Sequence, residues 1–182
     1  MALVLIESPN KISKLSQILG SNYKIMATVG HIMDLSKKNL GVDTDTFEPT
    51  YKVSSDKKDV VSSIKKEAQN HDVIYIATDP DREGEAIAHH IYSQIPKRGK
   101  TIHRVLFNAI TKEAVTKAIK NPTVLDEDLY KAQKARRITD RLVGFRVSPV
   151  MWIMGLKKTS AGRVQSVALN YIAGKEKEIR AF

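Results

Sequence analysis

The run Asp79-Pro80-Asp81-Arg82-Glu83-Gly84-Glu85 sets four carboxylates directly behind an apolar stretch, Val73-Ile74-Tyr75-Ile76-Ala77. Residues two apart in an extended segment project the same way, so Asp79 and Asp81 form a candidate pair, with Glu83 opening the next helix. Glu7 closes a second apolar run, Ala2 to Ile6, and is a further candidate arriving from another strand. Two carboxylates about 5 Å apart repel by roughly 3 kcal/mol at an effective dielectric of about 20. A close cluster therefore needs a cation or must hold a proton. No cysteine is present, which leaves oxygen or imidazole as ligands and suits a hard cation such as Mg2+. The competing reading is a solvated acidic turn favoured by the positive end of the following helix.

Other residues carry phosphate-directed chemistry. Lys11, four residues after Glu7 and near a helix start, can touch a phosphate or stay solvated. His31, after Gly30, is either a donor to phosphate or a satisfied turn histidine. Gly84 would let backbone approach a ligand. Arg136, Arg137, Asp140 and Arg141 lie at helical spacings that let Asp140 pair with Arg136 or Arg137. That pattern is a solvated ion-pair face or a carboxylate that fixes an arginine fork for phosphate. The stretch Thr159 to Ser166, with Ser160, Arg163 and Gln165, reads as a helix start with a hydroxyl cap and room for a backbone phosphate. Lys157 and Lys158 before it add charge. His71, His89, His90 and His103 show no metal-ligand spacing.

These groups need elements to hold them. Ala2 to Ile6 reads as a strand, followed by a helix through Ile12, Leu15, Ile18 and Leu19 that stops at Gly20. A second strand is predicted from Tyr23 to Val29, then an irregular excursion from Ser36 to Ser55, then a helix through Val60, Val61, Ile64 and Ala68. Strands at 73–78 and 102–107 alternate with helices through Ala86 to Ile91 and from Thr111 to about Ile119. Such alternation implies an α/β fold, a parallel sheet flanked by helices, with ligands beyond the carboxyl ends of the strands. Glu7 and Asp79 both fall at such ends. After residue 122 the pattern is helical throughout, with one stripe from Leu129 to Phe145 and another from Val164 to Ile172. The predicted division is 1–122 and 123–182.

Composition narrows the partner. The 182 residues are 42% hydrophobic, enough for a core, and 30 Lys and Arg against 20 Asp and Glu give a formal net charge of +10. A polyanion is the partner that such a surface concentrates, though a solubilising charge excess gives the same totals. The start lacks a basic leader region and no segment is long enough to span a bilayer. The expectation is a soluble intracellular protein with no membrane partner.

Taken in order, LVLIESPNK (3–11), VGHIMDL (29–35), FEPTYKV (47–53), TDPDREGEAI (78–87), RVLFNAIT (104–111), ARRITDRLVGFRV (135–147) and SAGRVQSVA (160–168) resemble the amino-terminal part of a type IA DNA topoisomerase, of the topoisomerase I branch. The resemblance covers nearly the whole chain. It implies a Toprim domain at 1–122 and the beginning of a helical single-strand DNA-binding domain at 123–182. Family members relax negatively supercoiled DNA by cutting one strand through a 5′-phosphotyrosyl link. On that resemblance Glu7 is the general acid, Lys11 stabilises charge on the scissile phosphate and Arg82 is a further catalytic candidate. Asp79, Asp81, Glu83 and Glu7 hold Mg2+. His31, Arg136, Arg137, Asp140, Ser160, Arg163 and Gln165 position chiefly single-stranded DNA. Three positions depart from the pattern: Met33 replaces a usual basic residue, His89 a common tryptophan and Thr159 a usual leucine. None of the six tyrosines lies in the family's nucleophile sequence, so the expectation is a fragment, inactive alone, whose partners include the missing carboxyl-terminal domains. A Toprim nuclease using metal-bound water and a noncatalytic nucleic-acid-binding module are the alternatives.

Overall fold

A computed structural model describes residues 1–156 and 159–182; Lys157 and Lys158 lie outside the described residues. The chain divides into two compact units, one of Met1–Ser36 with Thr50–Lys134 and one of Lys37–Pro49 with Ala135–Phe182.

The first unit is an α/β layer structure. Strands β1 (Ala2–Ile6), β2 (Tyr23–Ala27), β5 (Val73–Ile76) and β6 (Thr101–Arg104) form one parallel sheet in the order β2-β1-β5-β6. The central strand β1 is a continuous apolar run because both of its faces are covered. Leu3 and Leu5 face one core with Ile74 and Ile76, packed under α2 (Lys58–Gln69) and α3 (Arg82–Gln94). Val4 and Ile6 face the other with Leu15 of α1 (Ile12–Leu19) and Val115 of α4 (Lys112–Lys120). The register sets Leu5 opposite Ile76, so Glu7 and the acidic run leave the sheet at the same edge.

Three strands are shorter than their apolar runs suggest. The run from Tyr23 ends as strand at Ala27, because Val29 turns to φ 58° and Gly30 to φ 84°. The run from Val73 ends at Ile76, and the next at Arg104. The excursion from Ser36 to Ser55 is not irregular throughout: β4 (Tyr51–Val53) pairs antiparallel with β3 (Met33–Leu35). A three-residue strand is too short for its alternation to register in the sequence.

Helix α5 (Glu127–Ile153) begins in the first unit and continues in the second. In the second unit the Arg141 guanidinium donates to the carbonyls of Asn39 at 2.7 Å and Leu40 at 3.0 Å, and lies 4.1 Å over the Phe145 ring. Those contacts fasten the segment 37–49 to α5. Helix α6 (Arg163–Ala181) follows, capped at its start by Gly162. No described helix is long and apolar enough to cross a membrane.

Candidate functional site

Glu7 stands one residue past β1 and its backbone carbonyl accepts from the amides of Val29 at 2.9 Å and Gly30 at 3.4 Å. This ties the loop before His31 to the strand end. A β-branched residue at positive φ is costly, and the Lys57 ammonium, donating to the Val29 carbonyl at 2.7 Å, helps hold it there. Burial, reinforced by the charges of Asp79 and Asp81, raises the Glu7 carboxyl above its ordinary value, against the opposing pull of His31 and Lys11. A shift in that direction biases the carboxyl towards its protonated form, which suits an acid.

The acidic run is folded by its own chemistry. Asp81 is the N-cap of α3 and accepts from the Gly84 amide at 2.7 Å. The Thr78 hydroxyl donates to the Gly84 carbonyl at 2.6 Å. A Cβ on Gly84 would lie 2.1 Å from the Asp79 carbonyl oxygen, so this glycine admits the loop's own backbone, not a ligand as its type suggested. Lys11 pairs with Asp79 Oδ1. Glu83 Oε2 accepts from Gln133 Nε2 at 3.0 Å and lies 3.5 Å from His31 Nε2. Arg82 is exposed at the first position of α3 and pairs with no carboxylate among the described residues.

A pattern joins the three acidic groups. Asp79, Asp81 and Glu83 are each held through one carboxylate oxygen, and the other oxygen has no protein donor among the described residues. This all-carboxylate donor set fits a hard divalent cation in its chemistry. Side-chain positions are more open than a closed site: no three His, Cys, Asp or Glu side chains converge tightly enough to hold an ion among the described residues. The charge of Asp79 is met by Lys11 instead.

Arg104 underlies the whole loop, and its importance was not read from the sequence. The side chain, 1% exposed, donates Nε to Glu85 Oε2 at 2.8 Å. Its other nitrogens reach the carbonyls of Ile76, Thr78, Asp79 and Val105 at 2.9–3.1 Å. Glu85 Oε1 in turn accepts from the Asp126 amide at 2.8 Å, before α5. Gln133 was missed too. An arginine set directly before the apolar run Val105-Leu106-Phe107 is the one signal that pointed to a buried partner; nothing in the local sequence ties Gln133 to Glu83.

His89, at the position noted for tryptophan, stacks on Tyr130 with ring centroids 4.1 Å apart, and Met33 accepts from Ser93 and Gln94. His90 is buried against Tyr51, and neither of its ring nitrogens has a hydrogen-bond partner among the described residues. Burial, with His31 and His89 alongside, pushes its pKa down to about 4.

In the second unit Asp140 pairs chiefly with Arg163 of α6, while Arg136 Nε stands 3.8 Å away. The intrahelical pairing inferred from spacing is thus secondary to a bond between helices. The Arg163 hydrogen bond holds the Asp140 carboxyl below its ordinary value, with Arg136 and Arg137 adding to the effect. Ser160 Oγ donates to Gln165 Oε1 at 3.3 Å. It does not cap α6, whose N-cap is Gly162 with no side-chain bond, so the expected hydroxyl cap is replaced by a glycine turn.

Residues 2–110 match the Toprim domain family, and residues 124–182 match the DNA topoisomerase family. The chain belongs to the Toprim-bearing DNA topoisomerases. This Toprim chain is also similar to the solved full-length topoisomerase I from Thermotoga maritima, at 41% identity over 99% of its residues and a TM-score of 0.87. It spans 31% of that protein's length.

Proposed function

We propose that this chain supplies the acidic centre and part of the strand groove of a type IA DNA topoisomerase, an intracellular enzyme that relaxes negatively supercoiled DNA through a transient 5′-phosphotyrosyl break. Residues 1–122 are the Toprim domain and 123–182 the beginning of the helical single-strand-binding domain. The observation that carries the reading is Glu7, a carboxyl biased towards its protonated form at a strand end beside Asp79 and Asp81. It is the group to hand a proton to the leaving 3′ oxygen. The Lys11 ammonium neutralises phosphate charge once substrate competes for it with Asp79, and Arg82 and His31 offer further donors. Asp79, Asp81, Glu83 and Glu7 would hold Mg2+, which supplies positive charge beside the phosphate. Arg136, Arg137, Arg163, Ser160 and Gln165 grip the strand, with Asp140 fixing the Arg163 fork.

The nucleophilic tyrosine belongs to the remainder of the enzyme. End-labelled single-stranded DNA mixed with this chain and Mg2+ should therefore be bound and stay uncut on a denaturing gel. Metal-dependent scission that leaves free ends and disappears in Asp81→Asn would sink this reading and favour a nuclease.

A further inference from the structure

Gln133 lies on the second turn of α5 and in no catalytic motif, yet the residue is 94% removed from solvent and its amide meets Glu83. Its Nε2 donates to Glu83 Oε2 at 3.0 Å, while its Oε1 is buried with no hydrogen-bond partner among the described residues. A buried amide that bonds through one of its two polar atoms costs stability, and an apolar side chain of the same length would avoid that cost. The retained bond acts on Glu83, the one of the three half-tethered carboxylates Asp79, Asp81 and Glu83 that comes from inside α3. Glu83 is 45% exposed, so without a tether its carboxylate would sample several rotamers. Gln133 and His31 both act on Oε2 and leave Oε1 open.

We propose that Gln133 is a positioning residue for the cation-binding carboxylate of Glu83. It fixes one oxygen so that the other is presented without a further entropy loss when a divalent cation arrives. The inference rests on the proposed function, in which Glu83 is a ligand. Outer hydrogen bonds of this kind carry about tenfold or more in metal affinity.

The test is titration calorimetry of the full chain with Mg2+ alone, beside thermal unfolding of the same samples, for the unsubstituted chain, Gln133→Met and Gln133→Asn. Methionine keeps length without the donor, and asparagine keeps the donor without the reach. Both should bind Mg2+ about tenfold more weakly, with the methionine variant unfolding at the same or a higher temperature. A purely structural role for Gln133 predicts the opposite, a lowered unfolding temperature with unchanged affinity. Unchanged Mg2+ affinity in either variant that folds overturns the inference and leaves the proposed function standing. No Mg2+ binding by the unsubstituted chain overturns both.

Discussion

Each unit contains an arginine whose Nε meets a carboxylate, and the two pairs differ in nearly everything else. Arg104 and Glu85 are 1% and 3% exposed, and the guanidinium also reaches four backbone carbonyls. Arg163 and Asp140 are 45% and 38% exposed, and Arg163 makes no other hydrogen bond among the described residues. The first arginine has all three nitrogens bonded to protein and is buried, so it holds a shape. The second keeps donors in reach of solvent, so it can change partners when a phosphate arrives. The same chemical pair builds a scaffold in one place and, under the proposed function, a gripping surface in the other, and dehydration decides which.

The sharpest way to break this comparison is Arg104→Met. Leaving Glu85 buried without its partner should cost about 3–5 kcal/mol, read from urea unfolding. A loss no larger than that of an exposed pair would mean that the two arginines are equivalent.

A second difference lies in how the first unit answers acid. The unfolded His90 titrates near 6.5 and the folded one near 4. Above pH 6.5 both states are neutral and the residue has no effect. Between pH 6.5 and 4 the unfolded chain takes up a proton that the folded chain refuses, so stability falls as pH falls, by about 3 kcal/mol across the window. Subtracting the pH profile of His90→Phe from that of the unsubstituted chain should isolate this slope; parallel profiles would remove His90 from the account.

The smallest effect belongs to the exposed pair. With about five phosphates neutralised on a single strand, the log-log salt dependence of binding should have a slope near −3.5, and Arg163→Gln should lessen it by about 0.7. Its unfolding midpoint should not move measurably. A variant with an unchanged slope would show that Arg163 stays with Asp140 when DNA binds.

The sequence showed the sheet, because β1 and β5 are apolar throughout and are followed by helices of clear period. It also showed Glu7 and Asp79 at strand ends, since an abrupt change from apolar to acidic marks where a strand leaves the core. What it hid were partners distant along the chain. Lys11 meets Asp79 across 68 positions and Gln133 meets Glu83 across 50, and periodicity within a helix carries no record of either. Asp140 illustrates the same limit from the other side: its neighbours at helical spacing suggested a local pair, and Arg163 of α6 took the shorter bond. The brief β3-β4 pairing escaped because three residues do not establish an alternation.

The contact of Gly84 with the Asp79 carbonyl bears on insertions and deletions. Removing one residue between the two would bring Glu85 into the contact position, and adding one would bring Glu83 there, each with a Cβ where 2.1 Å is available. The interval from Asp79 to Glu83 is therefore locked by a collision instead of an attraction. Side chains along it can be exchanged while the fold survives, but the length of the loop cannot drift.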